Sequence, residues 1–218
     1  MLVKDDMNNF GLHQLWPTIV LETKLEDNIQ TEISNIIEDV EFSPAPADWG
    51  STHKISKPRP LNDENITNSQ FGDDVISQYG LTALSQEIHK YVLSYCQVHG
   101  LRYTKYKRSS WFTLFEKGDY AILHNHGTSA ISGCYYYKTS GEDSNIFFRN
   151  PLPQMVSSST YNVHSGINII KVEIGKMLLF PGWLDHGVIK NETDEKRISL
   201  AFNIYFPDEG FGVEVDAE

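Results

Sequence analysis

Two histidines, His124 and His126, stand two positions apart in Tyr120–His126, a segment whose composition predicts a β-strand. Side chains two positions apart on a strand share one face, with their Cα atoms roughly 6–7 Å apart. A third histidine, His186, follows in a segment between two further predicted strands. Neutral imidazole nitrogens bind iron, zinc, copper and nickel. The spacing therefore predicts a three-histidine metal site with its remaining coordination positions open for chemistry.

A second pair of functional groups follows the third histidine. Arg197 and Ser199 share one face of the last long predicted strand. A guanidinium can hold a carboxylate by two parallel hydrogen bonds, and a nearby hydroxyl can add a third. For Arg197 taken alone, a surface ion pair with Asp194 or Glu195 is the simpler interpretation. Its place soon after a candidate metal ligand favours a carboxylate-binding role instead.

The elements that must position these residues change in character at Gly100. Before it, the short apolar run Leu15–Leu21 predicts a strand that starts just after Pro17, and apolar periodicity predicts helices at Leu25–Val40 and Leu81–Val98. Residues 43–70 are expected to form a polar loop. After it, short β-rich segments alternate with turn signals. These segments are 109–115, 120–126, 131–138, 145–149, 167–174, 177–181, 186–190 and 197–206. The pattern predicts a mainly β fold with flanking helices, a jelly roll or barrel braced by the N-terminal helices.

The last predicted strand indicates which side of the sheet faces the site. One face carries Ile198, Leu200, Phe202, Ile204 and Phe206, and the other carries Arg197, Ser199, Ala201, Asn203 and Tyr205. We expect the apolar face to pack under the helices and the polar face to line the interior of the barrel, as a ligand-holding barrel requires.

Composition excludes some classes of function. The chain has 218 residues and a formal net charge of −11, which argues against nucleic acid as a partner because phosphate binding needs clustered cations. The basic cluster Arg102–Arg108 is expected to be a solvated strand edge. Cys96 and Cys134 form no zinc or disulfide pattern and are expected to be buried thiols in a reducing compartment.

The chain is expected to form one domain over residues 1–218. Its parts are a helical and loop region at 1–100, a β-rich core at 101–206 and an acidic tail at 207–218. No secretory signal and no apolar run of membrane-spanning length are present in the sequence. We therefore expect a soluble, cytoplasmic protein without membrane partners; its oligomeric state cannot be inferred.

Five motifs carry a resemblance to a known family. They are His124–His126, Ser132–Tyr136 (Ser-Gly-Cys-Tyr-Tyr), Phe180–His186 (Phe-Pro-Gly-Trp-Leu-Asp-His), Arg197–Asn203 (Arg-Ile-Ser-Leu-Ala-Phe-Asn) and the opening Leu15–Val20. In this order they resemble the 2-oxoglutarate/Fe(II)-dependent oxygenases. More narrowly, they are similar to the branch related to prolyl 4-hydroxylases that occurs in marine bacteria and phages. The resemblance implies a double-stranded β-helix and, for a phage-encoded protein, the cytoplasm of the host cell.

The resemblance implies an Fe(II) site formed by His124, His126 and His186. The common motif of the superfamily is His-x-Asp, and His126 stands where the aspartate is usual. Three neutral imidazoles leave Fe(II) with its full charge, which a bound 2-oxoglutarate dianion would neutralise. The firmer ligand of the His124–His126 pair is therefore His124.

The resemblance also implies the cosubstrate site and the activity. Arg197 and Ser199 would bind the distal carboxylate of 2-oxoglutarate, and Tyr136 matches a tyrosine that donates a hydrogen bond to the same carboxylate. The implied protein is a dioxygenase that uses Fe(II), 2-oxoglutarate and O2. It would hydroxylate a peptide side chain or a small metabolite.

Two alternatives stay open at the level of sequence. A three-histidine cupin-type dioxygenase or isomerase would use no 2-oxoglutarate and would give Arg197 no role. A non-catalytic jelly-roll binding protein would hold no stoichiometric metal. The residues Trp111, Phe148, Arg149 and Trp183 could line the mouth of a site, although core packing explains their aromatic members equally well.

Overall fold

The fold consists of two antiparallel β-sheets with helices against one of them. A computed structural model describes residues 17–57, 74–101, 105–142, 144–152, 166–206 and 213–215. The large sheet has the order β1-β9-β6-β11-β4-β3-β2, with β12 paired to β4, and the small sheet has the order β5-β10-β7-β8. This architecture confirms the prediction of a mainly β jelly roll braced by helices.

The strand bounds follow the predicted segments closely after residue 105. The strands are β1 (Leu21–Lys24), β2 (Phe42–Pro44), β3 (Lys54–Ser56), β4 (Tyr106–Phe115), β5 (Ala121–His124), β6 (Ile131–Lys138), β7 (Ile146–Arg149), β8 (Ile167–Ile170), β9 (Lys176–Pro181), β10 (His186–Val188), β11 (Arg197–Tyr205) and β12 (Val213–Val215). The helices are α1 (Asp27–Ser34), α2 (Val75–Gln78) and α3 (Thr82–Val98), with 3-10 turns at Ile37–Asp39 and Ala47–Trp49.

The larger hydrophobic core lies between the helices and the outer face of the large sheet. Helix α3 supplies Leu84, Ile88 and Val92, which are fully buried. Strand β11 supplies Leu200 and Ile204 to the same cluster. Fully burying an aliphatic side chain contributes about 1.5–3 kcal/mol each. The packing confirms that the apolar face of β11 lies under the N-terminal helices.

A second core fills the space between the two sheets. Strand β9 shows how the faces divide, because Leu179 lies in the helix-side core while Leu178 and Phe180 lie in the second core. Phe148, from the small sheet, packs against Phe180 with ring centroids 5.0 Å apart. The polar face of β11 is directed to this inner side, which orients its functional groups toward the small sheet.

Three predictions for the N-terminal region were wrong in detail. The strand predicted to start just after Pro17 begins only at Leu21, where pairing with β9 starts. The predicted helix Leu25–Val40 leaves α-helical geometry after Ser34, where Asn35 caps it and two β-branched residues follow. The described part of the predicted loop 43–70 contains the end of β2 and all of β3, which pair and extend the large sheet beyond β4, and residues 58–70 lie outside the described residues.

The expectation of a solvated basic edge at Arg102–Arg108 was wrong for Arg108. Its side chain is buried and forms an ion pair of 2.8 Å with Asp74, which is itself fully buried. Arg108 also donates a hydrogen bond of 2.9 Å to Ser85 on α3. The strand that carries it is internal, because β4 pairs with β11, β3 and β12. Residues 102–104 lie outside the described residues.

The remaining predictions concern the cysteines and the membrane. Cys96 and Cys134 are both buried free thiols, as expected from the sequence. Within the described ranges, none of the helices combines the length and the apolar character needed to cross a membrane.

Candidate active site

Three histidines converge where the small sheet meets the large one. His124 at the end of β5 lies directly opposite His186 at the start of β10 in the strand pairing, with ring centroids 4.4 Å apart. His126 follows two residues after His124, and its ring lies 5.2 Å from each of the other two. One ligand atom from each histidine lies within 4.8 Å of the others. The structure therefore brings together all three predicted ligands.

Hydrogen bonds orient two of the three imidazoles. The Nδ1 atom of His124 lies 2.8 Å from the carbonyl oxygen of Ile122, and that of His186 lies 2.8 Å from the carbonyl of Leu184. Because a carbonyl only accepts, each Nδ1 must carry the proton. The lone pair of each neutral ring is therefore on Nε2, which is the atom that a metal would bind.

His126 is held by a different partner. Its Nδ1 lies 3.1 Å from the side-chain amide nitrogen of Asn203 on β11. Its backbone N–H donates to the carbonyl of Gly182 in the turn between β9 and β10, at 2.8 Å. Gly182 cannot be replaced easily, because an added Cβ would lie 2.1 Å from the carbonyl oxygen of Ser129. Close packing of the two turns thus places His126 beside His186.

Burial and mutual repulsion keep two of these rings neutral. Loss of hydration, with the imidazole of His124 adding to it, lowers the pKa of His186 to about 4. Loss of hydration, together with the His186 and His124 imidazoles, lowers the pKa of His126 to about 3. Both rings are therefore unprotonated at neutral pH, which is the state that a metal ligand requires.

Arg197 lies deeper in the same region. Its side chain is 2% exposed, and Nη1 donates a hydrogen bond of 2.9 Å to the carbonyl of Ser144. The guanidinium carbon lies 4.7 Å from the ring centroid of Phe115 and 5.0 Å from that of Tyr136. Nε has no hydrogen-bond partner, and no carboxylate of the described residues pairs with this arginine. A buried cation without an anion is costly, so the arrangement fits a carboxylate ligand.

Ser199 and Tyr136 have different relationships to Arg197. Ser199 is fully buried and its hydroxyl lies 2.7 Å from that of Thr113 on β4. Both hydroxyls line the cavity described below. Tyr136 lies on the predicted inward face of β6, but it packs behind the guanidinium and is not among the residues that line the cavity. Its hydroxyl is buried without a partner among the described residues.

A cavity of about 460 Å³ connects the histidines with Arg197. This volume lies in the range of small-molecule sites. Its inner part is lined by Arg197 and Ser199, and its outer part by Trp49, Trp111 and Ile122. Three convergent imidazoles at one side and, at the other, a guanidinium without a carboxylate partner among the described residues fit a metal and a carboxylate-bearing ligand in the same cavity.

His53 is a site residue that sequence reasoning did not assign. It lines the cavity, is 5% exposed, and stacks on Phe115 with ring centroids 4.6 Å apart and planes inclined by 6°. Burial first, and then the Arg197 charge, lower its pKa to about 4, so the ring is neutral. A lone histidine in a loop carries no spacing signal, because its neighbours in space come from β4 and β11.

The four residues predicted to line the mouth of the site lie in different places. Trp111 lines the cavity, and its ring lies 6.1 Å from that of His126. Phe148 is buried and packs 6.1 Å from the ring of His186, so it supports the site without lining the cavity. Arg149 forms an ion pair with Asp185, and Trp183 is 53% exposed and lies outside the lining.

Comparison with known proteins gives the class of the fold. The structure is similar to an oxidoreductase of the 2OG-Fe(II) oxygenase family from Burkholderia pseudomallei (TM-score 0.64, 10% identity, covering 88% of each chain). It is also similar to HygX from Streptomyces hygroscopicus, solved with nickel, 2-oxoglutarate and hygromycin B (TM-score 0.57, 12% identity, 92% of this chain and 93% of that chain). A third similar structure is a prolyl-4-hydroxylase from Pseudomonas putida (TM-score 0.54, 15% identity, 87% and 93%).

The sequence of the β-rich core gives a family match. Residues 109–203 match the family model described as "Putative 2OG-Fe(II) oxygenase". No curated protein sequence matches the chain. The matched segment includes the three histidines and Arg197, and the match agrees with the fold of the similar structures.

Proposed function

We propose that this protein is an Fe(II)/2-oxoglutarate-dependent oxygenase whose Fe(II) ion is bound by His124, His126 and His186 together. The observation that carries the proposal is their convergence, with one ligand atom from each within 4.8 Å of the others. The carbonyl partners of His124 and His186 fix their protons on Nδ1 and leave Nε2 free. Imidazole binds a metal as an uncharged ligand, so the charge of the cosubstrate would balance that of the metal.

Arg197 would hold the distal carboxylate of 2-oxoglutarate. It is the buried cation at the inner end of the cavity, and the paired hydroxyls of Ser199 and Thr113 lie on the same lining. Phe115 supports the guanidinium from one side and Tyr136 from another, which limits its movement. Tyr136 would act through Arg197, or would reach the carboxylate after a change of its own position.

When bound, Fe(II) and 2-oxoglutarate supply the oxidising chemistry, in which O2 oxidises a substrate C–H group while 2-oxoglutarate becomes succinate and CO2. The residues of the chain would bind the metal and the cosubstrate, orient them and shield the site from water. The apolar rings of Phe115 and Phe180 on the lining limit the access of water to the inner cavity. The rings of His126 and His186 are already neutral at neutral pH, so metal binding does not have to displace the second proton of an imidazolium.

The primary substrate would enter from the side of Trp49 and Trp111. Their rings are 6.5 Å apart, and the ring of Trp111 lies 6.1 Å from that of His126, so a group held against them would approach the metal site. Among the described lining residues, Asp48 and Arg197 are the ones with a formal charge, histidines aside. Because Arg197 would serve the cosubstrate, the outer cavity favours a neutral or positively charged group over an anionic one. We propose hydroxylation of an aliphatic carbon on a peptide side chain or small metabolite.

The proposal is tested by the binding of metal and cosubstrate in separate variants. Anaerobic calorimetry should show one metal site per chain that His124→Ala and His186→Ala abolish. His99→Ala, which removes an exposed histidine at the end of α3, is the matched control and should leave metal affinity unchanged. Equal metal affinity in all three variants would refute histidine ligation.

A further inference from the structure

The environment of His126 differs from that of the other two histidines. His124 and His186 each face a backbone carbonyl, which leaves one possible position for the ring proton. His126 faces a side-chain amide, whose nitrogen donates and whose oxygen accepts. The partner of His126 can therefore support either ring tautomer.

Asn203 belongs to a closed ring of hydrogen bonds. Its Oδ1 accepts a bond of 2.7 Å from the hydroxyl of Ser132, which lies opposite Asn203 in the β6–β11 pairing. The Ser132 hydroxyl lies 3.0 Å from that of Ser129, and the Ser129 hydroxyl donates at 3.0 Å to the backbone carbonyl of His126. The side chains of Ser129, Ser132 and Asn203 are each at most 6% exposed. Water therefore does not set the direction of these bonds.

Two arrangements of the protons are possible, and they differ by a half-turn of the Asn203 amide. In one direction Ser132 donates to Oδ1 of Asn203, Nδ2 donates to Nδ1 of His126, and the imidazole proton is on Nε2. In the other, a half-turn of the amide exchanges Oδ1 and Nδ2. Nδ1 of His126 then donates to Asn203, Asn203 donates to Ser132, Ser132 donates to Ser129, and Ser129 donates to the His126 carbonyl. In the first arrangement the Ser129 hydroxyl donates to the His126 carbonyl and the Ser132 hydroxyl donates to Asn203, so no proton is left for the contact between the two serines. In the second arrangement all four contacts are hydrogen bonds, because each hydroxyl donates once and accepts once.

We propose that Asn203 is a positioning residue whose amide orientation decides whether His126 is a metal ligand. This inference rests on the proposed function of the three histidines. A proton on Nε2 blocks ligation through that atom, whereas a proton on Nδ1, held by the amide oxygen, releases it. With Nδ2 facing His126, as in the structure, the ring proton lies on Nε2. Ligation of a metal through Nε2 requires the opposite orientation of the amide.

Two substitutions at one position separate this role from simple packing. Asn203→Asp presents only acceptors, so it keeps the proton of His126 on Nδ1 and still accepts from Ser132. Asn203→Leu has a similar volume and offers no hydrogen bond. Zn(II) affinity, measured by calorimetry, should be retained or raised in Asn203→Asp and lowered roughly 10- to 100-fold in Asn203→Leu. Ser132→Ala should give a smaller loss, because it breaks the ring while leaving Asn203 in place.

The tautomer itself is measured by nitrogen-15 NMR of the imidazoles. His126 should carry its proton on Nε2 in the metal-free protein, and on Nδ1 after Zn(II) is added. In metal-free Asn203→Asp the proton should already be on Nδ1. A protonated Nδ1 in the metal-free wild type, or wild-type Zn(II) affinity in a folded Asn203→Leu variant, would overturn the inference.

The Zn(II) affinities of these variants also distinguish a failure of this inference from a failure of the three-histidine site. If His124→Ala and His186→Ala abolish Zn(II) binding while Asn203→Leu does not weaken it, only the role of Asn203 fails. If none of these three variants changes Zn(II) affinity, the three-histidine site fails, and the inference fails with it.

Discussion

The side-chain amide of Asn125 donates a hydrogen bond of 2.7 Å to a carboxylate oxygen of Asp185. Asn125 stands between His124 and His126, and Asp185 directly precedes His186. The bond therefore joins the two chain segments that carry the three histidines. It is also the largest cause that lowers the pKa of the Asp185 carboxyl, with the nearby Arg149 adding to it. Asp185 is thus an ionised anchor at neutral pH.

Asn125→Ala should weaken metal binding without removing a ligand. Loss of the bond frees the segment around His124 relative to His186, and removal of such outer partners typically costs roughly 10- to 100-fold in affinity. Anaerobic calorimetry with Zn(II) measures the change. Asn35→Ala, at an exposed helix end, is the control and should bind as the wild type does. Undiminished affinity in Asn125→Ala would show that the bond does not position the ligands.

Arg197→Gln should weaken 2-oxoglutarate binding and leave metal binding intact. Removing one partner of a buried charge pair costs about 2 kcal/mol or more, which corresponds to roughly 30-fold in the dissociation constant. Arg197→Lys keeps the charge but loses the planar fork, and an intermediate loss is expected. Lys117→Gln, which removes an exposed cation, is the control.

The same measurement separates the two kinds of three-histidine enzyme. A cupin-type dioxygenase that uses no 2-oxoglutarate would show no difference between Arg197→Gln and the wild type. Metal affinity that falls together with cosubstrate affinity would instead mean that Arg197 supports the fold of the site.

The metal-free protein should lose stability between pH 6.5 and pH 4.5. In the unfolded chain an imidazole takes up a proton near pH 6.5, whereas the folded pKa of His53 and His186 is about 4. The unfolded state therefore binds more protons in this window, and the free energy of unfolding falls as pH falls, by ~1.4 kcal/mol per pH unit for each such ring. Denaturant titrations at stepped pH measure the slope.

A substitution and a ligand check this pH dependence. His53→Gln should make the free energy of unfolding fall less steeply as pH falls, by the amount that one imidazole contributes. Saturating Zn(II) should raise stability most near neutral pH, since the metal competes with protons for the ligand nitrogens. A metal-free protein whose stability is constant from pH 7 to pH 5 would contradict the neutral state of the buried histidines.

Asp74→Ala should destabilise the fold by about 3–5 kcal/mol, because it leaves the buried guanidinium of Arg108 without its anion. The exposed pair of Lys117 and Asp194 offers a matched comparison, and Lys117→Ala should cost at most ~1 kcal/mol. Chemical unfolding gives both values. Equal costs would show that the pair of Asp74 and Arg108 is not the internal contact described above.

Most of the strands and the three candidate metal ligands could be predicted from the sequence. Alternation along Arg197–Tyr205 predicted which face of β11 meets the helices, because a strand places successive side chains on opposite faces. The predicted strand 120–126 ends at His124, so His126 reaches the site from the segment after β5, where its backbone N–H bonds to Gly182, and the expectation that both histidines share one strand face was wrong. The role of Tyr136 stays a prediction, since strand parity gives its face but not its distance from the cavity.

Contacts between residues distant in sequence could not be predicted in the same way. Arg108 belonged to a basic run typical of a surface, and its partner Asp74 comes from a segment before α3. His53 is a single histidine in a polar loop, and its place beside Phe115 depends on the pairing of β3 with β4. Asn203 was expected to face inward, but only the packing of two turns brings it to His126.

The central claim is that this protein binds Fe(II) through three histidines and 2-oxoglutarate beside it, with Arg197 at the far end. Anaerobic addition of Fe(II) and then 2-oxoglutarate, followed in the visible spectrum, tests it most directly. We predict a metal-to-ligand charge-transfer band in the wild type, no band in His124→Ala, and a band that needs higher 2-oxoglutarate concentrations in Arg197→Gln. A folded wild-type protein that shows no band at saturating Fe(II) and 2-oxoglutarate would contradict the account.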